Sequence, residues 1–234
     1  MLLCLGSASS QLDLTVPQFT QTLLSIPSGQ FLPALLETPW AELIGGTLLV
    51  TFIAAAIAIG LPPLVLLLTL DHRTLRQPLW ALMRLIPVPL TALLLLLMFQ
   101  PSAVLAAVAL GLHHSGVMGR VMEEDLDHCS SDTTKALHQL GASQCSAVLY
   151  GQLGPISRPY LAYGLVRLDV ILRDTAVVGM VGGAGLGWQL IDALGSFHGA
   201  LVVWLLLAYG VLTLCGELIS GWLQTTWSCK AVEA

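Results

Sequence analysis

The sequence predicts an all-α membrane protein, and its composition is the first reason. Of the 234 residues, 56% are hydrophobic and 10% are charged, and the mean hydropathy is +0.82. Soluble domains carry about 25% charged residues, so this much apolar surface requires a lipid surrounding. Several apolar runs exceed the roughly 18 residues that indicate a membrane-spanning helix. We expect five full spans preceded by a short N-terminal segment.

The positions of the nine Lys and Arg residues predict the orientation of these spans. None of them lies in residues 1–72 or 174–229. Basic residues near the ends of spans mark the cytoplasmic side of a membrane. The loop 71–77, the segment near 120–158 and the C-terminus are therefore predicted to be inside.

The spans are assigned to the apolar runs between these inside loops. In the first span, Pro62 and Pro63 are expected to kink the helix or to end its regular part. In the second, Pro87 and Pro89 interrupt the helical hydrogen bonds. The five predicted spans are 43–70, 78–99, 103–119, 159–181 and 199–221.

Four regions follow from this assignment. Residues 1–40 form an external segment with one short interfacial helix, and residues 41–222 form the transmembrane domain. A cytoplasmic loop occupies about 121–158, and residues 223–234 form a cytoplasmic tail. The first residues, MLLCL, lack the charged start of a secretory signal peptide, and we interpret them as the end of a span shortened by the choice of start codon.

The cytoplasmic loop contains a helical turn, a glycine, a second helical run and a proline. Its sequence from 135 to 155 is KALHQLGASQCSAVLYGQLGP. Gly141 would end the first helix because glycine reaches positive φ without strain. Asp132 or Thr133 is the candidate cap at the start of that helix.

This loop resembles the cytoplasmic EAA loop of ABC importer permeases, which contacts an ATPase subunit. Lys135 stands where that family has Glu, and Leu153-Gly154-Pro155 replaces Leu-Pro. The alternative is an ordinary loop helix between two spans. The residues that the resemblance assigns to ATPase coupling are Lys135, Ala136, Leu137, Gly141, Ala142, Leu153 and Pro155.

Three further segments resemble phosphonate-type importer permeases, in the same order along the chain. They are MRLIPVP at 83–89, ALGLHHSGVMGR at 109–120, and YGLVRLDVILRDTAVVGMVGGAGLGWQL at 163–190. The resemblance covers about residues 40–222. It implies the transmembrane domain of a type I ABC importer, located in the bacterial inner membrane.

The same resemblance implies partners and cargo. The chain would form a homodimer with two ATP-binding subunits inside and a substrate-binding protein outside, surrounded by membrane lipid, and would bind no nucleic acid. ATP and Mg would bind the ATPase, so this chain would have neither a cofactor nor a catalytic residue. The expected cargo is a small phosphorus oxyanion: a phosphonate, phosphite or phosphate.

Charged residues within the fourth predicted span are the first candidates for function. A charge in the bilayer costs roughly 2.5–3.5 kcal/mol on insertion scales, so it faces a partner or an aqueous cavity. Asp169 and Arg173 are spaced i, i+4 and can pair. With Arg167 they would leave a net positive site suited to an anion. The alternative, which we favour, is a set of structural ion pairs.

Histidines and glycines supply the remaining candidates. His113 and His114 are open to a metal or proton-relay role, but no Cys or acidic ligand is near in sequence, so we favour packed or cavity-facing histidines and expect no metal. Arg84 is expected to anchor the chain at the inner membrane interface.

The glycine-rich segment is predicted to serve in helix packing or as a hinge, because three of its glycines have GxxxGxxxG spacing. Its glycines are Gly179, Gly182, Gly183, Gly185 and Gly187.

Two other functions stay open at this point. One is a sister ABC importer for methionine, taurine or a metal complex, whose permeases share the EAA loop. The other is an intramembrane lipid-modifying enzyme that uses His113, His114 and Asp169. The sequence contains no GxSxG, HExxH or Walker A motif.

Overall fold

The computed structural model describes most of the chain, and every regular element within it is helical. The described residues are 29, 31–70, 73–129, 132–182 and 185–232, with side chains omitted at 73, 180–182 and 224–232. The part of the predicted external segment before residue 29 therefore lies outside the described residues, as do Asp71 and His72.

The helices are numbered in chain order. They are α1 (Phe31–Glu37), α2 (Trp40–Leu68), α3 (Arg73–Leu85), α4 (Val88–Leu96), α5 (Ala103–His128), α6 (Asp132–Gln139), α7 (Gln144–Val148), α8 (Gly154–Gly182), α9 (Gly185–Gly195) and α10 (Gly199–Val232). One π-helical turn, Leu149–Leu153, joins α7 to α8.

Helix α2 continues through both of its prolines. The expectation that Pro62 and Pro63 end its regular part is wrong, because the helix runs on to Leu68. Its 29 residues correspond to about 43 Å at 1.5 Å per residue. Close packing against α5 supports it, since a Cβ added at Gly111 would lie 2.7 Å from Cβ of Ile57.

The second predicted span is a bent pair of helices. Helices α3 and α4 meet at 87°, so the pair is either a broken span or a re-entrant loop. The bend falls at Ile86 and Pro87, where proline supplies no N–H for a helical hydrogen bond. Helix α3 already begins at Arg73, so the predicted loop 71–77 is largely helical.

Helix α5 is the central helix of the bundle. Ser102 caps it by accepting a hydrogen bond from Leu105 N at 3.2 Å. It extends past the predicted end at 119 to His128, because no Gly or Pro interrupts residues 120–128. Gly119 lets the buried ring of Trp80 from α3 lie directly against the helix backbone.

The count of five spans is not confirmed. Within the described residues, three helices are long and apolar enough to cross a membrane, namely α2, α5 and residues 199–223 of α10, and the α3–α4 pair would make a fourth. Helix α8 begins at Gly154, before the predicted 159, and carries four charged residues within the predicted span. Helix α10 continues through the predicted tail to Val232, since no Gly or Pro stops it after Gly221.

Most of the buried apolar side chains lie between α2, α5 and α8. A smaller cluster, formed by Leu186, Ala193 and Leu205, joins α9 to α10. Only 11% of the apolar window of α10 is buried. Large apolar side chains are exposed on most helices, as expected for a chain surrounded by lipid.

Candidate functional site

The first helix predicted in the loop is α6, which ends at Gln139 and is followed by a turn at Gly141. Gly141 has φ 84°, and its N–H donates to His138 O at 3.0 Å. The N–H of Ala142 donates to Leu137 O at 3.0 Å, which completes the two bonds of a Schellman motif with glycine at the left-handed position. No residue of α6 is buried, and Leu140 beside the turn is 84% exposed.

Helix α6 packs against the π-helical turn Leu149–Leu153. A Cβ at Gly151 would lie 3.0 Å from Cα of Thr134, so the two backbones are in close contact. Leu153 packs against the main core, whereas Pro155 is exposed in the first turn of α8. A displacement of α6 would therefore reach α8 through a short, continuous connection.

The remaining coupling candidates lie on or beside α6. Lys135 and Ala136 are exposed, whereas Leu137 and Ala142 are half-buried. Lys135 Nζ lies 3.8 Å from Asp132 Oδ1. The predicted caps lie inside the helix, because α6 already begins at Asp132.

The salt bridge expected from the i, i+4 spacing on α8 is present. Arg173 Nη2 lies 2.8 Å from Asp169 Oδ2, and it also donates to Glu217 Oε2 of α10 at 3.3 Å. The Asp169 side chain is 12% exposed and that of Arg173 is 50% exposed. Oδ1 of Asp169 is buried without a hydrogen bond among the described residues.

Arg167 faces the opposite direction, toward α5. Its Nε donates to His114 Nδ1 at 3.1 Å. Nε2 of His114 lies 3.1 Å from Asp174 Oδ2, without hydrogen-bond geometry. The ring of His113 stacks edge-on against that of His114, and its Nδ1 lies 3.2 Å from Ile86 O at the α3–α4 bend. The two histidines thus pack in a polar contact between helices.

The net positive site, which the sequence left open beside the favoured structural ion pairs, is not assembled among the described residues. Asp174 and Glu217 lie beside the residues that sequence reasoning singled out, so two arginines face three carboxylates. The structure also separates Arg167, on the α5 side, from the Arg173 pair, on the α10 side. The carboxylate of Asp174 was overlooked in the sequence, and that of Glu217 reaches Arg173 only through the packing of α10 on α8.

The residue set of the lipid-modifying enzyme is not assembled either. Asp169 pairs with Arg173, while His114 has Asp174 as its acidic neighbour. Among the described residues, no group of three or more His, Cys, Asp or Glu is arranged to hold a metal ion. Arg84 is exposed at the end of α3, where its Nε donates to Trp80 O at 3.3 Å.

The glycine-rich segment packs α8 and α9 against each other. Gly187 faces the backbone of Ala176 and Gly179, and a Cβ there would lie 3.2 Å from Cα of Gly179. Gly185, at φ 70°, lies against Gly46 of α2. The GxxxGxxxG spacing therefore does not act within one continuous helix, because α8 ends at Gly182. Gly183 lies outside the described residues.

Sequence reasoning missed three charged residues. Asp174 and Glu217 lie within predicted spans, where the cost of a charge alone would have marked them. Glu123 forms a buried ion pair with Arg76, with Nε to Oε1 at 2.6 Å. The same arginine donates to Thr69 O at 2.8 Å, so it joins the end of α2 to α3 and α5.

The long apolar helices α2, α5 and α10 are those of a multi-pass membrane protein. Residues 72–227 match the family described as the inner membrane component of binding-protein-dependent transport systems. The chain belongs to this family. It is accordingly a multi-pass protein of the bacterial inner membrane.

Relatives and a solved structure agree with this assignment. A provisionally named phosphite transport system permease of Stutzerimonas stutzeri is 31% identical over 128 residues, which are 55% of this chain and 49% of the relative. A provisionally named cryptic phosphonate transport system permease of Escherichia coli K12 is 30% identical over 91 residues, 39% of this chain and 75% of the relative. The chain thus aligns with about half the length of the first.

The fold is similar to that of a crystal structure of an amino acid ABC transporter with histidines. The TM-score is 0.64, and the match covers 84% of this chain and 98% of the other. At 20% identity this likeness concerns the fold alone.

Proposed function

We propose that this chain is the permease subunit of an ATP-driven importer for a small phosphorus oxyanion, namely phosphonate, phosphite or phosphate. The observation that carries the proposal is the family match over residues 72–227. The names of the two relatives support the choice of cargo. The four-region division predicted from the sequence is part of the proposal.

The proposed complex contains two copies of the chain, two ATP-binding subunits inside and a substrate-binding protein outside. ATP and Mg bind the ATP-binding subunits, and this chain supplies the path through the membrane. Closure of the ATPase pair would bring the two α6 helices together. Rigid-body rotation of the helices would then open the path to the outside.

The α6 region has the shape that such coupling requires. Helix α6 protrudes from the bundle, and its C-terminal turn is fixed by the Schellman motif at Gly141. It packs against the π-helical turn at Gly151, which continues directly into α8. Helix α8 packs against α2, α5 and α10. A displacement of α6 would therefore be transmitted through α8 to most helices of the bundle.

Transport into proteoliposomes tests the proposal. The chain is reconstituted with ATP-binding and substrate-binding proteins of the same organism, and uptake of labelled phosphite, methylphosphonate and phosphate is compared with that of methionine and taurine. We expect ATP-dependent uptake of at least one phosphorus oxyanion. Uptake of only methionine or taurine would assign the chain to a sister importer, and absence of ATP-dependent uptake would refute the proposal.

A further inference from the structure

The turn between α9 and α10 has an aromatic residue where its backbone geometry favours glycine. The N–H of Phe197 donates to Leu194 O at 3.3 Å, and the N–H of His198 donates to Ala193 O at 3.0 Å. These are the two bonds of a Schellman motif. Phe197 occupies its left-handed position with φ 57°, the only non-glycine residue with positive φ in the described part of the chain.

Within the described part of the chain, the side chain of Phe197 provides little packing that would offset this strain. It is 93% exposed, more than any other large apolar side chain among the described residues. The equivalent position after α6 is Gly141, which makes the same two hydrogen bonds without strain. A strained, exposed aromatic residue therefore points to a contact outside this chain.

A cavity opens beside this turn. It has a volume of about 470 Å³ and is lined by residues of α1, the middle of α9, the α9–α10 turn and the start of α10. Glu37, Gln189 and His198 are among its lining residues. The cavity is near the first residue of α2, at the far end of that helix from Thr69 and the Arg76–Glu123 pair.

The surface around the turn carries only negative formal charge. Glu37, Glu42 and Asp192 are exposed on α1, α2 and α9. No Lys or Arg occurs in residues 1–72 or 174–229. A partner that binds here gains from basic residues, whereas a second copy of the same surface or an anionic lipid headgroup would be repelled.

We propose that Phe197 and the adjacent cavity form a docking point for the substrate-binding protein on the outer face. The complementary surface of that protein carries an apolar socket bordered by Lys or Arg. Phe197 enters the socket, and the carboxylates of Glu37 and Asp192 face the basic border. This inference rests on the proposed function, because it specifies where the external partner binds and what chemistry it presents.

Phe197→Gly gives the sharpest test, because it separates docking from stability. Glycine fits the left-handed position, so the thermal unfolding temperature of the assembled transporter should stay the same or rise. The affinity for the purified substrate-binding protein that supports uptake, measured on transporter in nanodiscs, should fall at least several-fold. Phe52→Ala is the matched control, since Phe52 is an exposed aromatic residue in the middle of α2 and should leave this affinity unchanged.

A second variant tests the charge complementarity. Glu37→Gln combined with Asp192→Asn should weaken docking and make its affinity depend less on salt concentration.

Unchanged affinity in Phe197→Gly would overturn the inference while leaving the importer assignment intact. Lower yield of assembled transporter with normal affinity would instead make Phe197 a lipid anchor. If the substrate-binding protein fails to stimulate the wild-type ATPase, the proposed function itself is wrong.

Discussion

Helices α6 and α9 end with the same pair of backbone hydrogen bonds, yet they differ in the residue at the left-handed position. Gly141 reaches that conformation freely, whereas Phe197 does so at a cost of roughly 1–2 kcal/mol. The sequence predicted the first of these turns because glycine is the usual residue there. It did not predict the second, because nothing in the residue type phenylalanine signals a left-handed backbone.

Substitution of Gly141 tests whether the turn after α6 transmits ATP-driven motion. A Cβ at Gly141 meets no atom within 4 Å, so any effect of a side chain comes from the backbone angle. Gly141→Val should distort the turn, whereas Gly141→Asn should keep it because asparagine tolerates left-handed angles. We expect Val, but not Asn, to lower uptake and substrate-stimulated ATPase activity several-fold at equal complex yield. Normal coupling in Gly141→Val would remove α6 from the transmission path.

The charged contacts between α8 and α10 give an ordered set of stabilities. Arg173→Gln leaves the buried carboxylate of Asp169 unpaired, which costs up to about 3–5 kcal/mol for a fully buried pair. Asp169→Asn should be milder, because Arg173 is half-exposed and keeps Glu217. The double substitution should resemble Asp169→Asn. Yield and thermal stability of the purified complex provide the measurement.

Glu217→Gln is the control for this series and should be nearly neutral, because its carboxylate is 64% exposed. If Arg173→Gln instead assembles normally and slows transport of the anion, Arg173 lines the pathway. The spacing of Asp169 and Arg173 predicted their pairing because helical geometry is local. The contribution of Glu217 was not predictable, since it depends on how two distant helices pack.

At the scale of elements, the buried ion pair between α3 and α5 is expected to stabilise the inner end of the bundle. The side chains of Arg76 and Glu123 are 7% and 5% exposed, and their contact joins two residues that are 47 positions apart in the sequence. Glu123→Gln removes the charge partner of a buried guanidinium, so unfolding should become easier by about 3–5 kcal/mol. Thermal unfolding in detergent measures the effect.

The neighbouring pair on the same helix provides the matched control. Arg120 and Glu124 form an exposed i, i+4 pair, so Glu124→Gln should change stability by less than about 1 kcal/mol. Equal effects of the two glutamine variants would show that Arg76–Glu123 is as solvated as the exposed pair.

The bend between α3 and α4 shows how far an element can be predicted. Pro87 indicated that the second span is interrupted, because proline lacks the N–H that a helix needs. The 87° angle was not predictable, since it also depends on α5, whose His113 contacts the Ile86 carbonyl at the corner. Helices α5 and α10 also extend beyond their predicted apolar runs, because a helix continues past the hydrocarbon layer until a residue such as Gly or Pro stops it.

For the whole molecule, the orientation in the membrane remains a prediction that labelling can check. Single cysteines at exposed positions 37 and 132 in a cysteine-free background provide matched sites on α1 and α6. A membrane-impermeant thiol reagent applied to intact cells should label position 37 and leave position 132 unlabelled until the cells are permeabilised. The reverse pattern would invert the topology and move Phe197 to the cytoplasmic face.

The length of α10 has a consequence for the bilayer itself. Residues 199–223 would reach about 37 Å along a straight helix, longer than a hydrocarbon layer of about 30 Å. Because 11% of the apolar window of α10 is buried, few protein contacts hold it at a set angle. The surplus length is therefore accommodated by tilting of the helix or by thickening of the surrounding lipid. A change in the acyl-chain length of the surrounding lipid would therefore change the tilt of α10, the helix whose Glu217 contacts Arg173.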